Sequence, residues 1–315
     1  MYKRTVGAVA VTALVSVILA GCVPPTPTDP PPPVTGASPG CGTTNRGAVF
    51  ERPETVTVDG RVRDYVMTVP PVHQPGTTDP VPLVLDFHGL LEGTVRTHPF
   101  ATQFSALARA EGFAVAFPIG SENGLFWDIA PTESNPDLRF IDTLVDSLGD
   151  TMCIDRSRVY VTGLSFGAAM TSMLMCMRPN TFAAAAPVAG MLDLCGATER
   201  KVPFVTFHGT ADWILPFPLF QNTPAGVAAK YGCEGGPSVE TLTPNPDPGT
   251  GAPITRTTWD CSGVDSAAEF YTIGNGGHSW PGSDFFTFIG FIVGPNATSL
   301  DGTRTIWEFF ERFSL

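Results

Sequence analysis

Ser165 stands in Gly163-Leu164-Ser165-Phe166-Gly167, between the apolar run Val159-Tyr160-Val161-Thr162 and the helix-forming stretch from Ala168 to Met175. A strand, a tight turn and a helix with serine at the tip would lift the hydroxyl above a sheet edge. The turn would also aim a helix N-terminus at the atom under attack. Glycines beside the serine suit so crowded a turn because they bring no side chain. A serine hydroxyl is a weak nucleophile near neutral pH, so a neutral imidazole must take its proton. That imidazole in turn needs a carboxylate on its other nitrogen to fix the tautomer. Both partners follow in the chain. Asp212 closes the turn Gly209-Thr210-Ala211-Asp212 after the apolar segment Val202 to His208, and His278 closes the glycine-rich loop 274–278 after the strand-like Ala268 to Ile273.

Rivals for these roles are few. Of the five histidines, only His208 and His278 follow Ser165, and His208 lies within its own strand. His208 and His88 therefore read as structural. His73 and His98 read as loop residues, and no ligand spacing around them predicts a metal. Asp155, Asp193 and Asp260 do not directly follow a buried strand in the right interval. Two duller readings stay open: Ser165 as an ordinary turn serine, and Asp212 as a helix-capping aspartate. Acyl transfer also needs donors for an oxyanion. The expected pair is the backbone N–H of Phe166, at the start of the helix after the elbow, and that of Leu90, in the loop after Val81 to Gly89. Trp127 and Trp280 are the expected substrate-binding aromatics, since a ring face can hold an acyl chain, a phenolic ring or a sugar. The other reading for both is packing on the scaffold.

The elements that would position these residues alternate. Strands are expected near 81–87, 113–117, 159–162, 183–188, 202–207 and 268–273, with helices near 99–111, 138–150, 166–177 and 299–313. That alternation predicts an α/β fold, a single domain over 41–315 with a mostly parallel sheet covered by helices on both faces. Asp59-Gly60 suits the tight turn of a hairpin over Thr55 to Met67. The aromatic-rich run 285–293 is read as a flap over an acyl pocket, a surface touching lipid or polymer, or a core segment.

Three motifs in order carry a family resemblance: Tyr160 to Ser165 with Met170, His208 to Asp212, and Gly277-His278-Ser279-Trp280-Pro281-Gly282. They closely resemble the extracellular polyhydroxybutyrate depolymerase and feruloyl/acetylxylan esterase family of the α/β-hydrolase superfamily. The likeness runs from about Arg61 to the closing helix 300–313. Ser, Asp, His is also the chain order of α/β-hydrolases. The resemblance implies a cofactor-free hydrolase of carboxylic esters acting through an acyl-enzyme, with Ser165 as nucleophile, Asp212 as acid and His278 as base. Phe166 stands where the depolymerases usually carry a small residue, and Ala168 where they usually carry glycine. No second module follows the catalytic region, so a small or oligomeric ester is expected rather than crystalline polymer. The alternatives are a serine peptidase or transacylase on the same scaffold, or a catalytically silent binding lipoprotein.

The N-terminus bears on compartment. Lys3-Arg4 followed by the apolar run Val6 to Ala20 reads as a signal peptide over 1–21. Leu19-Ala20-Gly21-Cys22 looks like a lipoprotein box, predicting lipidation at Cys22 and a membrane anchor; plain secretion is the other reading. Residues 22–40 read as a proline-rich tether. With Cys22 lipidated, the seven cysteines leave an even number, which outside the cytoplasm implies disulfides. Cys41–Cys153, Cys176–Cys195 and Cys233–Cys261 are the expected pairs, although spacing alone does not dictate them. The formal charge of −12 becomes −14 when Lys3 and Arg4 are removed. So acidic a chain excludes a nucleic-acid groove or a polybasic membrane patch.

Overall fold

The computed structural model describes residues 35–315, apart from 195, 197, 199, 234–235 and 262–266. The signal peptide, Cys22 and most of the tether lie outside the described residues. A ten-stranded sheet runs through the molecule in the order β1-β2-β4-β3-β5-β6-β7-β10-β9-β8. Its strands are β1 (Val49–Val58), β2 (Arg61–Val69), β3 (Val81–Phe87), β4 (Ala114–Pro118), β5 (Ile154–Leu164), β6 (Ala184–Val188), β7 (Phe204–Gly209), β8 (Ser238–Thr241), β9 (Ile254–Asp260) and β10 (Ala267–Ile273). From β4 through β3, β5, β6 and β7 to β10 every pairing is parallel, and antiparallel strands flank that centre on both sides.

Burial on both faces explains why the central strands read as unbroken apolar runs. Along β3, Leu83, Leu85 and Phe87 enter one core and Val84 the other, as side chains alternate across a strand. Beside two one-turn helices at Ser121–Gly124 and Phe217–Phe220, the helices of the described residues are α1 (Glu92–Val95), α2 (His98–Thr102), α3 (Phe104–Glu111), α4 (Pro136–Thr151), α5 (Phe166–Met177), α6 (Thr223–Lys230), α7 (Asp284–Phe288), α8 (Gly290–Val293) and α9 (Gly302–Phe310). Residues of α4, α5 and α6 fill the first core, and those of α3 and α9 the second. Asn135 starts α4 cleanly: its side-chain oxygen accepts from the N–H groups of Asp137 and Leu138, and Pro136 occupies the first turn. On the other face Trp307 of α9 stacks on Phe113 and Phe310 on Tyr160, at 3.9 and 4.8 Å between centroids.

Several boundaries differ from expectation. The helix expected over 99–111 is two, broken where Gln103 adopts φ 60°. The segment between Cys233 and Cys261, where no strand was expected, contains β8 and β9. Residues 37–40, part of the expected tether, lie against the domain, where small side chains let the backbone approach the start of β5 and the end of α4. Ala37 bridges Asp155, Ser38 donates to Ile154 O at 2.9 Å, and Gly40 donates to Gly149 O at 2.8 Å. Cys41–Cys153 and Cys233–Cys261 are bonded as expected. Cys176 is also disulfide-bonded, while Cys195 lies outside the described residues. His73 lies in the loop between β2 and β3, as expected, but is fully buried there, and its Nε2 accepts from the N–H of Cys153.

Candidate active site

Ser165 is the single residue between β5 and α5, held at φ 58° and ψ −113°. Positive φ is costly for a residue with a side chain and persists only where the surroundings enforce it. The enforcement here is crowding. A Cβ on Gly167 would lie 1.9 Å from Phe87 O, and one on Gly163 would lie 2.6 Å from the same oxygen. The end of β3 therefore presses directly on the elbow, which only glycine on either side allows. The Ser165 N–H is spent on Val188 O at 2.9 Å.

Asp212 follows β7 and is shared between two tasks. Its Oδ1 accepts from the N–H groups of Ile214 and Leu215, at 2.9 and 2.8 Å. Its Oδ2 accepts from His278 Nδ1 at 2.7 Å. His278 follows β10, its own N–H donating to Val293 O at 2.7 Å. With the proton on Nδ1 committed to Asp212, Nε2 is left as the basic nitrogen. The ends of β5, β7 and β10 face one rim of the sheet, because all three strands run parallel and only β6 intervenes. Among the described residues no hydrogen bond joins His278 Nε2 to Ser165 Oγ, the contact that catalytic sites commonly tighten only with substrate bound.

His208 stands beside this pair without competing for it. Its Nε2 donates to Leu215 O at 2.9 Å, lies 3.4 Å from Asp212 Oδ2, and its ring stacks on Phe220. Burial holds its pKa below the ordinary value, against the opposing pull of Asp212. A neutral His208 thus buttresses Asp212 without taking its charge.

The Phe166 N–H opens α5 and has no acceptor within the helix, as helix geometry requires. The Leu90 N–H has no acceptor among the described residues, although its neighbours on both sides do. His88 folds back on this loop: Nδ1 donates to Gly89 O at 2.7 Å, and Nε2 accepts from the N–H of Gly120 at 2.9 Å. That second bond requires a neutral ring, and burial pushes the His88 pKa down to about 4.

The two tryptophans are a correction. Trp127 and Trp280 are each 1% exposed, so neither offers a face to a substrate. Trp127 stacks obliquely on His88 and donates to His88 O at 2.9 Å, which makes it a brace under the Leu90 loop. Trp280 packs edge-on against Phe104 and donates to Thr303 Oγ1. His98 is a second correction. It sits in α2 and is buried between Asp86 and Glu92. One local signal pointed there: Asp86 is a carboxylate inside an apolar strand, and a buried charge needs a partner.

The chain is similar to several known proteins. The sequence model of the prolyl oligopeptidase family matches residues 105–215, a span that includes Ser165 and Asp212. NocK of Nocardia uniformis subsp. tsuyamanensis, which carries a provisional esterase designation, is 28% identical over 325 residues, covering 92% of this chain and 94% of that one. Feruloyl esterase C of Emericella nidulans is 27% identical over 285 residues, covering 88% and 93%. The solved acetyl xylan esterase of Aspergillus awamori superposes with a TM-score of 0.59 at 19% identity, covering 76% of this chain and 99% of that one. The fold is that of the α/β-hydrolases, and the relatives mark the chain as a hydrolase.

Proposed function

We propose that the chain is a serine esterase that cleaves carboxylic esters through an acyl-enzyme. The observation that carries this reading is the 2.7 Å bond from His278 Nδ1 to Asp212 at the rim where Ser165 is held at φ 58°. Ser165 Oγ attacks the ester carbonyl as its proton passes to His278 Nε2. The carbonyl oxygen becomes an oxyanion between the N–H groups of Leu90 and Phe166. Collapse expels the alcohol, which leaves with the proton from His278. Water then repeats the sequence on the acyl-enzyme and frees the acid.

The rim favours an ester with an apolar or aromatic acyl part. Leu91 beside Leu90 is 54% exposed, Trp213 beside Asp212 is 49%, and Phe288 and Phe291 on α7 and α8 are 80% and 83%. These are the large apolar side chains to which substrate selection is assigned, in place of Trp127 and Trp280. We place the enzyme outside the cytoplasm, anchored through a lipid on Cys22; the disulfides support an oxidising compartment.

The prolyl oligopeptidase match favours amide cleavage as the second reading. One panel separates the two: p-nitrophenyl esters of graded acyl length, methyl ferulate and acetylated xylan, beside peptidyl anilides. Ester turnover that is lost with fluorophosphonate labelling in Ser165→Ala supports the esterase. Turnover of the anilides alone supports the peptidase, and a folded protein that does neither is a binding lipoprotein.

A further inference from the structure

Behind the Leu90 loop lies a buried chain of charge. His98 Nε2 donates to Asp86 Oδ1 at 2.8 Å and Nδ1 donates to Glu92 Oε2 at 3.1 Å. Thr102 donates to the other Asp86 oxygen at 2.6 Å. The side chains of His98 and Asp86 are 3% and 0% exposed. One imidazolium thus bridges two carboxylates, and both of its protons are committed. The bridge continues toward the site, because the Gly89 N–H donates to Glu92 Oε2 at 2.9 Å. Gly89 O is gripped too, by His88 Nδ1 at 2.7 Å and by the Glu92 N–H at 3.3 Å.

A peptide unit is planar and trans, so its C=O and its N–H point in opposite directions. Gripping Gly89 O therefore fixes where the Leu90 N–H points. The loop would not hold that direction unaided, since Leu91 stands at φ 70° and Arg96 at φ 52°, a conformation that side-chain-bearing residues avoid.

We propose that Asp86, His98 and Glu92 are positioning residues for the reaction: a carboxylate–imidazolium–carboxylate relay, buried at Asp86 and His98 and half-buried at Glu92, that anchors the loop to β3 and aims the Leu90 N–H at the oxyanion. This role rests on the esterase reading. None of the three touches the substrate. Glu92 passes the constraint from β3 to the loop: its carboxylate holds the Gly89 N–H, and that bond sets Gly89 where its carbonyl meets His88 Nδ1 and the Glu92 N–H, the two grips that orient the Leu90 N–H. The relay works by direction rather than by charge transfer, so what Glu92 must supply is an acceptor oxygen.

Glu92→Ala and Glu92→Gln test this. Glu92→Ala removes the acceptor. Losing an oxyanion donor outright costs about 10²–10³ in turnover, and misaiming one is expected to cost roughly 10–100-fold. On a p-nitrophenyl ester kcat should fall by that factor with KM within about threefold. Inhibition by a boronic acid, whose tetrahedral adduct places an oxygen in the same position, should weaken in parallel. Glu92→Gln keeps an acceptor for Gly89 and should recover most of the loss. A folded Glu92→Ala protein with undiminished kcat would overturn the proposal, as would Glu92→Gln behaving like Glu92→Ala. A wild type inert toward every ester would instead sink the esterase reading itself.

Discussion

Asp212 caps the turn at Ile214 and Leu215 with one oxygen and holds His278 with the other, the second being the bond that the proposed catalytic acid requires. The two duties can be pulled apart. Asp212→Asn keeps an oxygen for the Ile214 and Leu215 N–H groups but turns an amide N–H toward His278, forcing the wrong tautomer. Turnover should drop by about 10⁴ with little change in the melting temperature. Asp212→Ala should lose the same activity and a further ~1 kcal/mol of stability through the missing cap; steady-state kinetics and thermal melts read the two effects separately. His98 makes a pH prediction of unusual sign. Burial alone would lower its pKa, but Asp86 and Glu92 outweigh burial and raise it to about 10. The groups facing it are Asp86 on β3, Glu92 on α1, the neutral His88 and the edge of Phe117. A raised value means that its stabilisation is complete below the ordinary histidine pKa of about 6.5 and is lost as pH rises through about 10. Urea unfolding from pH 6 to 10.5 should show the wild type losing more stability than His98→Gln over that window. An equal loss in both proteins would refute the assignment. Ser165, Asp212 and His278 stood out as candidates because each follows an apolar run with glycine at the turn: Gly163 and Gly167 around Ser165, Gly209 before Asp212, and Gly276 and Gly277 before His278. Glu92 and His98 did not, because their pairing exists only after the loop folds back on β3.

At the level of elements, the elbow depends on a strand it is not joined to. Phe87 O leaves no room for a side chain at position 167, and backbone cannot swing aside as the tip of a flexible side chain can. Gly167→Ala should therefore push β3 and the α5 N-terminus apart. It should cost roughly 1–3 kcal/mol and lower kcat even in the fraction that remains folded; chemical denaturation with activity assays would show both, and a stable, fully active variant would refute the crowding. The central strands were legible because burial on two faces demands continuous apolar sequence. β8 was not, since all four of its residues are exposed and it carries no alternation to read. The split between α2 and α3 was hidden because Gln103 is neither glycine nor proline.

At the scale of the whole molecule, the disulfides tie peripheral segments to the sheet. Cys41–Cys153 spans 112 residues and Cys233–Cys261 spans 28. On the chain-entropy argument the longer closure stabilises more, so the double variant Cys41→Ser/Cys153→Ser should lose about 3–5 kcal/mol. The corresponding double variant of the shorter bridge should lose less, and activity at room temperature should survive in the first. Denaturant midpoints order the two, and a reversed order would show that local packing outweighs chain entropy. The docking of Ala37 and Ser38 beside Asp155 and Ile154 has a geometric consequence. They lie where β5 begins, and Ser165 lies where it ends, eleven residues on, or about 36 Å at the usual strand rise. The polypeptide enters the domain at the pole opposite its mouth. A molecule moored by its leading end would open toward the surroundings and turn its back to whatever holds it.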